Sequence, residues 1–254
     1  MDDRVLEVVN RSNQRGGRML SLIDLIEAET LTLSQAAALT ARIEAGASVL
    51  VGAGPGGAGK TAVMGALLTM LPPGESVRVT HTGGGFGFGR GGHTDAWREA
   101  GDGDCLVAYE ISPASYEAYI WGQDLRDFLE RGLAGARLFA NLHADTLEEA
   151  RDQIVIDNAA PRAGFNAFDV FVPITVAGGF GRRSRVVERI DHRDAGDSSR
   201  PVADTRPAGW SHFGRSPTLS DRAGEIAHFL EGLADDDVRR IEDVRRRWLA
   251  FLGA

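Results

Sequence analysis

The segment from residue 54 to residue 61 constrains the fold most, because it fits the pattern G-x-x-x-x-G-K-[ST] in full. An uncharged stretch at residues 48–52 predicts a buried strand before it, and residues 61–70 predict an apolar-faced helix after it. In this setting, backbone N–H groups of a glycine-rich loop surround phosphate, and the helix N-terminus adds partial positive charge. These flanks disfavour the alternative of a chance glycine-rich turn, and the sequence therefore predicts a P-loop.

Each position of the predicted P-loop has an expected contact with ATP or Mg²⁺. Lys60 should reach the β- and γ-phosphates, and the Thr61 hydroxyl should be the metal ligand. Lys60 is the only lysine in a chain with 28 lysines and arginines, and its compact ammonium is not mimicked by a guanidinium fork. The predicted ATP-binding residues are Gly54, Pro55, Gly56, Gly57, Ala58, Gly59, Lys60, Thr61 and Ala62.

Two polar residues follow further predicted buried strands, at residues 105–109 and 137–142. Glu110 ends the first, which we expect beside the P-loop, where a carboxylate can polarise the attacking water or hold magnesium through water. A surface glutamate at a strand end is an equally good interpretation. His143 ends the second strand and could sense the γ-phosphate or orient Glu110, although a lone histidine is more often structural. Glu110 and His143 are the predicted catalytic residues.

The alternation of strands and helices predicts an α/β fold: a P-loop NTPase with a mostly parallel, RecA-like sheet flanked by helices. Helices are expected after Pro113 to about residue 131, and at about residues 147–158. A hairpin is expected between residues 168–176 and 185–190. Residues 83–92 are so rich in glycine that they predict a loop.

Composition narrows the possible partners and compartment. The formal net charge of −8 predicts no specific nucleic-acid partner, because phosphate contacts usually require a basic surplus. The local arginine runs at 182–185 and 245–247 are interpreted as solvated surface. Cys105 is the single cysteine, which excludes an intrachain disulfide and suits a reducing cytoplasm, and the histidines show no zinc-site spacing. No apolar stretch approaches the ~20 residues of a membrane helix, so we expect a cytoplasmic protein, peripheral to a membrane only through a partner.

Several segments in this order resemble the secretion-superfamily ATPases, the motors of type II and type IV secretion, type IV pili and the archaellum. The resemblance is closest to the archaeal and tight-adherence branch, spans about residues 20–190, and is most specific where a histidine box follows the strand-end glutamate. The segments that carry it are residues 21–26, 30–32, 45–51, 71–73, Tyr109-Glu110, 141–146, 148–150, 168–172 and 182–190.

This resemblance implies a Mg²⁺-dependent ATPase motor domain at residues 20–191. In such a motor Glu110 would activate water, and His143 would couple the γ-phosphate to subunit motion. The family works as a ring, usually a hexamer, on an integral membrane platform protein. Around the motor we expect a polar N-terminal tail at 1–19, a linker or long loop at 192–220, and a C-terminal helical segment at 221–254.

The chain departs from the family pattern at several positions. Family members have an N-terminal domain ahead of the motor, of which we expect almost none here. The acidic box expected near residues 80–82 holds no carboxylate. Tyr109 stands at the Walker B glycine, and Asp102 where an arginine usually precedes that strand. Arg90 and Arg98 are the candidates for reaching a neighbouring subunit. The missing acidic box and the expected lack of the N-terminal domain favour an alternative function, a catalytically weak nucleotide-binding paralogue that joins or regulates a ring. A P-loop small-molecule kinase ranks last, since no acceptor or lid motif is visible.

Overall fold

The computed structural model describes residues 4–13, 16–54, 56–80, 96–178, 184–193 and 209–254. They form a mixed α/β fold in which helices flank a mostly parallel central sheet, so the predicted fold class is confirmed. None of the helices in these ranges is both long and apolar enough to cross a bilayer.

The bounds of the elements follow in chain order. The strands are β1 (Val49–Gly52), β2 (Ser76–Val79), β3 (Asp104–Ile111), β4 (Tyr119–Ile120), β5 (Arg137–Leu142), β6 (Val170–Pro173), β7 (Thr175–Ala177), β8 (Ser184–Val186), β9 (Ile190–Arg193) and β10 (Trp210–Phe213). The helices are α1 (Arg4–Ser12), α2 (Leu22–Glu27), α3 (Leu33–Glu44), α4 (Lys60–Leu68), α5 (Gln123–Leu133), α6 (Leu147–Asp152), α7 (Arg162–Phe165), α8 (Asp221–Asp235) and α9 (Ile241–Phe251). A 3₁₀ turn at Ala96–Glu99 and a π-helical turn at Gln153–Asp157 complete them.

The large sheet has the strand order β10-β9-β6-β1-β5-β3-β2, with β4 paired to β3. Strands β6, β1, β5, β3, β2 and β4 pair in parallel, and β9 and β10 add an antiparallel edge. The strand that ends near Glu110 does not pair with the strand before the P-loop, because β5 lies between β1 and β3. Every residue of β5 is buried, as is expected of a strand in the interior of a parallel sheet that is covered on both faces.

Alternate residues of the central strands face two separate cores. Val51 and Val107 pack with α1 to α4, α8 and α9 on one face. Leu50 and Leu106 pack with α5, α6 and α7 on the other. Helix α4, which begins at Lys60, therefore lies on the same face of the sheet as Val51 and Val107.

The N-terminal segment differs from the expected polar tail. Helix α1 buries Val5, Val8 and Val9, whose i, i+3, i+4 spacing puts them on one face against α4 and β2. The short apolar stripe is hard to detect among the many polar residues of this segment, which is why the sequence suggested a polar tail.

Two further segments have a different structure from the one predicted. The helix expected from Pro113 begins at Gln123 instead, because Tyr119 and Ile120 pair with β3 and Gly122 has a φ of 59°. Within the expected linker, Trp210–Phe213 forms β10 against β9, and Trp210 is buried. Residues 83–92 and 194–208 lie outside the described ranges.

The predicted late hairpin is present in a shorter form. It consists of β7 and β8, whereas the flanking residues belong to β6 and β9 of the large sheet. Its base is anchored at Val187, which is buried, donates its N–H to the Thr30 carbonyl and accepts a hydrogen bond from the Gln35 amide. The hairpin is therefore fixed at its base to the α2–α3 region.

Candidate nucleotide-binding site

The predicted P-loop connects the end of β1 to the start of α4. Gly57 and Gly59 have φ values of 78° and 99°, a left-handed conformation that favours glycine. Lys60 is the first residue of α4 and Thr61, half-buried, is the second. Every predicted ATP-binding residue except Gly54 and Pro55 lines one cavity of about 550 Å³, a size typical of small-ligand sites. Pro55 lies outside the described residues.

Gly54 joins the P-loop to the segment that follows β5. Its N–H donates to Asp145 Oδ1 at 2.6 Å, and its carbonyl oxygen lies 2.9 Å from His143 Nδ1. A carbonyl oxygen only accepts, so Nδ1 is the ring nitrogen that carries the proton. A Cβ at Gly54 would collide with the Asp145 carboxylate, which explains the glycine.

The segment that carries His143 and Asp145 is itself held in place. The Thr146 side chain caps α6 by accepting from the Glu149 N–H, and Glu149 in turn accepts from the Asp145 N–H at 2.8 Å. This reciprocal arrangement is a capping box shifted by one residue. It fixes the backbone on which the P-loop rests, so that the loop and His143 keep a defined spacing.

Lys60 and Glu110 form an ion pair with 3.5 Å between Nζ and Oε1. Both side chains are buried, with 8% and 9% of their surface exposed. Burial lowers the pKa of Lys60 and raises the pKa of Glu110, and in each case the charge of the partner opposes the shift. Burying the two charged groups therefore costs desolvation free energy. An anionic ligand that binds Lys60 more strongly than Glu110 does would offset this cost.

His143 completes this group. Lys60 Nζ lies 3.3 Å from Nε2 and 3.4 Å from Nδ1 of its ring. Nearly equal distances place the ammonium off the lone-pair axis of either nitrogen. With the proton on Nδ1, Nε2 is the acceptor for Lys60. The structure thus brings Lys60, Glu110 and His143 together, while their roles in chemistry stay predictions.

A β-bulge turns Glu110 towards this group. Ala108 pairs with Ala140 and Ile111 pairs with Leu142, so Tyr109 and Glu110 together oppose Asn141. Regular alternation would place Glu110 on the face of Ala108, away from α4, but the extra residue puts it in the cavity with Lys60. Buried Asn141 donates its side-chain amide to the Tyr109 carbonyl at 2.8 Å and so satisfies a group at the bulge.

Tyr109, where the family pattern has glycine, has a packing role. Its side chain is buried, and its hydroxyl donates to the Val8 carbonyl of α1 at 3.1 Å. Burial raises the pKa of this phenol, so it stays a neutral donor. The tyrosine thus joins β3 to the N-terminal helix, a contact that glycine cannot make.

Several cavity residues were missed from the sequence. Arg18 and Tyr119 line the cavity, as does Arg185, whose Nη2 donates to the Gly57 carbonyl at 3.3 Å. Arg185 belongs to a run interpreted as solvated surface, and only the path of the hairpin shows that it reaches the P-loop. Nothing in the local pattern of Arg18 or Tyr119 indicated a site.

The candidate arginines for a neighbouring subunit lie elsewhere. Arg98 pairs with Asp124 and Asp127 of its own chain and does not line the cavity. Arg90 lies outside the described residues. At the position of the acidic box, Thr80 is buried and its hydroxyl donates to the Val107 carbonyl.

The described residues contain no group of three or more His, Cys, Asp or Glu side chains arranged to hold a metal. Magnesium at phosphate sites needs only one or two protein oxygens beside the substrate's own. The Thr61 hydroxyl lines the cavity, and buried Glu110 Oε1 lacks a hydrogen-bond partner. These two oxygen groups fit that requirement.

No protein-family model and no curated protein matches the chain. The solved structures similar to it include two ATPases. One is the VirB11 ATPase from the Brucella suis type IV secretion system in complex with sulphate, with 16% identity and a TM-score of 0.41 over 60% of this chain and 50% of that chain. The other is the Legionella pneumophila ATPase DotB, with 10% identity and a TM-score of 0.39 over 89% of this chain and 57% of that chain. This chain therefore spans about half the length of either, and at these scores the likeness carries no argument about its activity.

Proposed function

We propose that this protein binds and hydrolyses ATP with Mg²⁺ as a compact motor domain of the secretion-ATPase kind. The observation that carries the proposal is the convergence of Lys60, Glu110 and His143 on the P-loop, inside one cavity of about 550 Å³. A lysine at the start of the P-loop helix and a buried carboxylate are groups that phosphoryl transfer uses. The family resemblance adds the histidine, which lies beside the lysine.

The ion pair suggests how binding prepares the site for hydrolysis. A triphosphate carries more negative charge than one carboxylate, so Lys60 should leave Glu110 for the β- and γ-phosphates. Glu110 Oε1, which is buried and has no hydrogen-bond partner, can then accept a proton from the attacking water. Its raised pKa makes it a stronger base than an ordinary glutamate.

Other residues hold and orient the substrate. Backbone N–H groups of the P-loop and the N-terminus of α4 bind phosphate. His143, fixed through Nδ1 to the Gly54 carbonyl, is placed to respond when Lys60 moves. Thr61 would hold Mg²⁺, with Glu110 acting on it through water. A bound Mg²⁺ would neutralise charge on the transferring phosphate.

Steady-state phosphate release tests this function. We expect ATP turnover with Mg²⁺ and its loss when EDTA removes the metal, because the hydroxyl of Thr61 and the phosphates together form the proposed metal site. ATP binding without any Mg²⁺-dependent release would favour the alternative, a catalytically weak paralogue. Tyr109 at the glycine position and Thr80 at the acidic box are the observations that support that alternative.

The family resemblance extends the proposal to assembly. We propose that copies of this chain form a ring, hexameric in the family, that acts on an integral membrane platform protein from the cytoplasmic side. A cation supplied by a neighbouring subunit can be worth ~10³-fold or more in phosphoryl transfer. Specific activity should therefore rise with protein concentration, as measured by turnover alongside light scattering. Activity independent of concentration in a proven monomer would contradict a shared site.

A further inference from the structure

The cations of the nucleotide cavity differ in whether a carboxylate neutralises them. Among the described residues, the lysines and arginines that line the cavity are Arg18, Lys60 and Arg185. Lys60 pairs with Glu110, and Arg18 pairs with Asp24 at 2.6 Å. No carboxylate within the described ranges forms an ion pair with Arg185. Its guanidinium is thus the cavity cation whose charge is still available to an anion.

Arg185 lies against the P-loop itself. Its Nη2 donates to the Gly57 carbonyl at 3.3 Å, and a Cβ built on Gly59 would lie 3.2 Å from its Cδ. The distance to Gly57 exceeds the usual range for N–H···O hydrogen bonds, and the acceptor is neutral, so the bond is weak. When a guanidinium donates to phosphate oxygens, both partners are charged, and two parallel bonds can form in place of one.

The hairpin that carries Arg185 is anchored two residues after this arginine, at Val187. Arg185 is the middle residue of β8 and pairs with Val176, and buried Val187 two residues later fixes the hairpin base to Thr30 and Gln35. The backbone of Arg185 therefore has a defined position, and only side-chain torsions are needed to move its guanidinium. An arginine held in this way loses less conformational entropy on binding than one on an unanchored loop.

We propose that Arg185 is a second phosphate-binding cation of this site, which acts within its own chain. On binding, its guanidinium leaves the Gly57 carbonyl and donates to terminal phosphate oxygens. This inference rests on the proposed ATP site and assigns a specific residue to it. The charges support it: Glu110 already neutralises Lys60, so Arg185 contributes the uncompensated positive charge that a triphosphate requires.

Calorimetric titration with Mg-ATP and with inorganic triphosphate tests the proposal. The variants are Arg185→Ala, Arg185→Lys and Arg162→Ala. Arg162→Ala is the control, because Arg162 is exposed and does not line the cavity, and its replacement changes the net charge by the same amount as Arg185→Ala. We expect Arg185→Ala to weaken both ligands about tenfold or more, the value of a charge-assisted hydrogen bond. Arg185→Lys should recover part of the loss, and Arg162→Ala should bind like wild type.

The outcomes separate this proposal from the ATP site. Unchanged affinity in Arg185→Ala overturns the role of Arg185, and tighter binding would show instead that Arg185 obstructs the empty loop. Wild-type protein that binds triphosphate through Arg185 but not ATP would overturn the proposed function alone. If wild type binds neither ligand, both proposals fail.

A mixing experiment tests whether Arg185 acts within its own chain. Lys60→Ala subunits retain Arg185, and Arg185→Ala subunits retain Lys60. If Arg185 served a neighbour's site, an equal mixture would recover activity above the sum of the separate variants. We expect no recovery, and recovery would overturn the assignment to the same chain.

Discussion

Replacing Lys60 with alanine should lower the affinity for Mg-ATP at least about 100-fold. The ammonium is expected to make charge-assisted hydrogen bonds to both the β- and γ-phosphates, and each is worth about 1.5–3 kcal/mol. Titration with a fluorescent ATP analogue measures the loss. Unchanged affinity in a folded variant would mean that the loop does not bind nucleotide through this residue.

The structure adds a consequence for stability that the P-loop motif alone does not give. Without Lys60, Glu110 would be a buried carboxylate without its cation, and its already raised pKa should rise further. A group whose pKa is higher in the folded state stabilises it below the unfolded pKa, and this contribution is lost as the pH rises through the folded value. The loss of unfolding temperature caused by Lys60→Ala, measured against wild type, should therefore be larger at alkaline than at mildly acidic pH.

The double variant Lys60→Ala, Glu110→Gln is the matched control for that effect. Because glutamine carries no charge at any pH, the additional alkaline loss should disappear while ATP affinity remains low. This comparison separates loss of a phosphate contact from damage to the fold. The same alkaline loss in both variants would show that Glu110 is not its source.

Much of the site follows from local sequence. The P-loop motif has fixed spacing and flanks, and strand-end positions for Glu110 and His143 follow from two uncharged runs. The parallel sheet follows from alternation of strands and helices, since carboxyl ends of parallel strands meet at one edge. These features depend on periodicity and on residues close together in the chain, and both can be inferred without coordinates.

The features that were missed depend on long-range contacts. The bulge that orients Glu110 arises from pairing of β3 with β5, and no residue in the Ala108–Ile111 run marks it in the sequence. Arg185 is 125 positions from Lys60 by residue number, and only the hairpin path brings it to the loop. In the sequence Tyr109 is only a departure from the family pattern, and its hydrogen bond to the Val8 carbonyl of α1 depends on a long-range contact.

Glu110→Gln should have the second large effect, a fall in ATP turnover of about 10²- to 10⁴-fold, the usual value of general base catalysis. Glutamine preserves the volume but cannot accept the proton of the attacking water. Binding should respond in the opposite sense. Glu110 pairs with Lys60 at 3.5 Å, and in the proposed mechanism phosphate must displace it. Removal of its charge should therefore leave the affinity for Mg-ATP unchanged or higher.

The pH profile identifies Glu110 more specifically than the rate alone. Burial raises the pKa of Glu110, and Lys60 and His143 are the charged or titratable groups whose influence opposes the shift. As the pH is lowered, wild-type turnover should therefore fall with a midpoint above the ordinary glutamate pKa of about 4.3. This acid limb of the pH profile should be absent from the residual activity of Glu110→Gln. Glu130→Gln, at an exposed site on α5, should keep both the wild-type rate and the limb. Equal turnover in Glu110→Gln and wild type would make the buried carboxylate structural, and would leave a nucleotide-binding paralogue as the better account of this site.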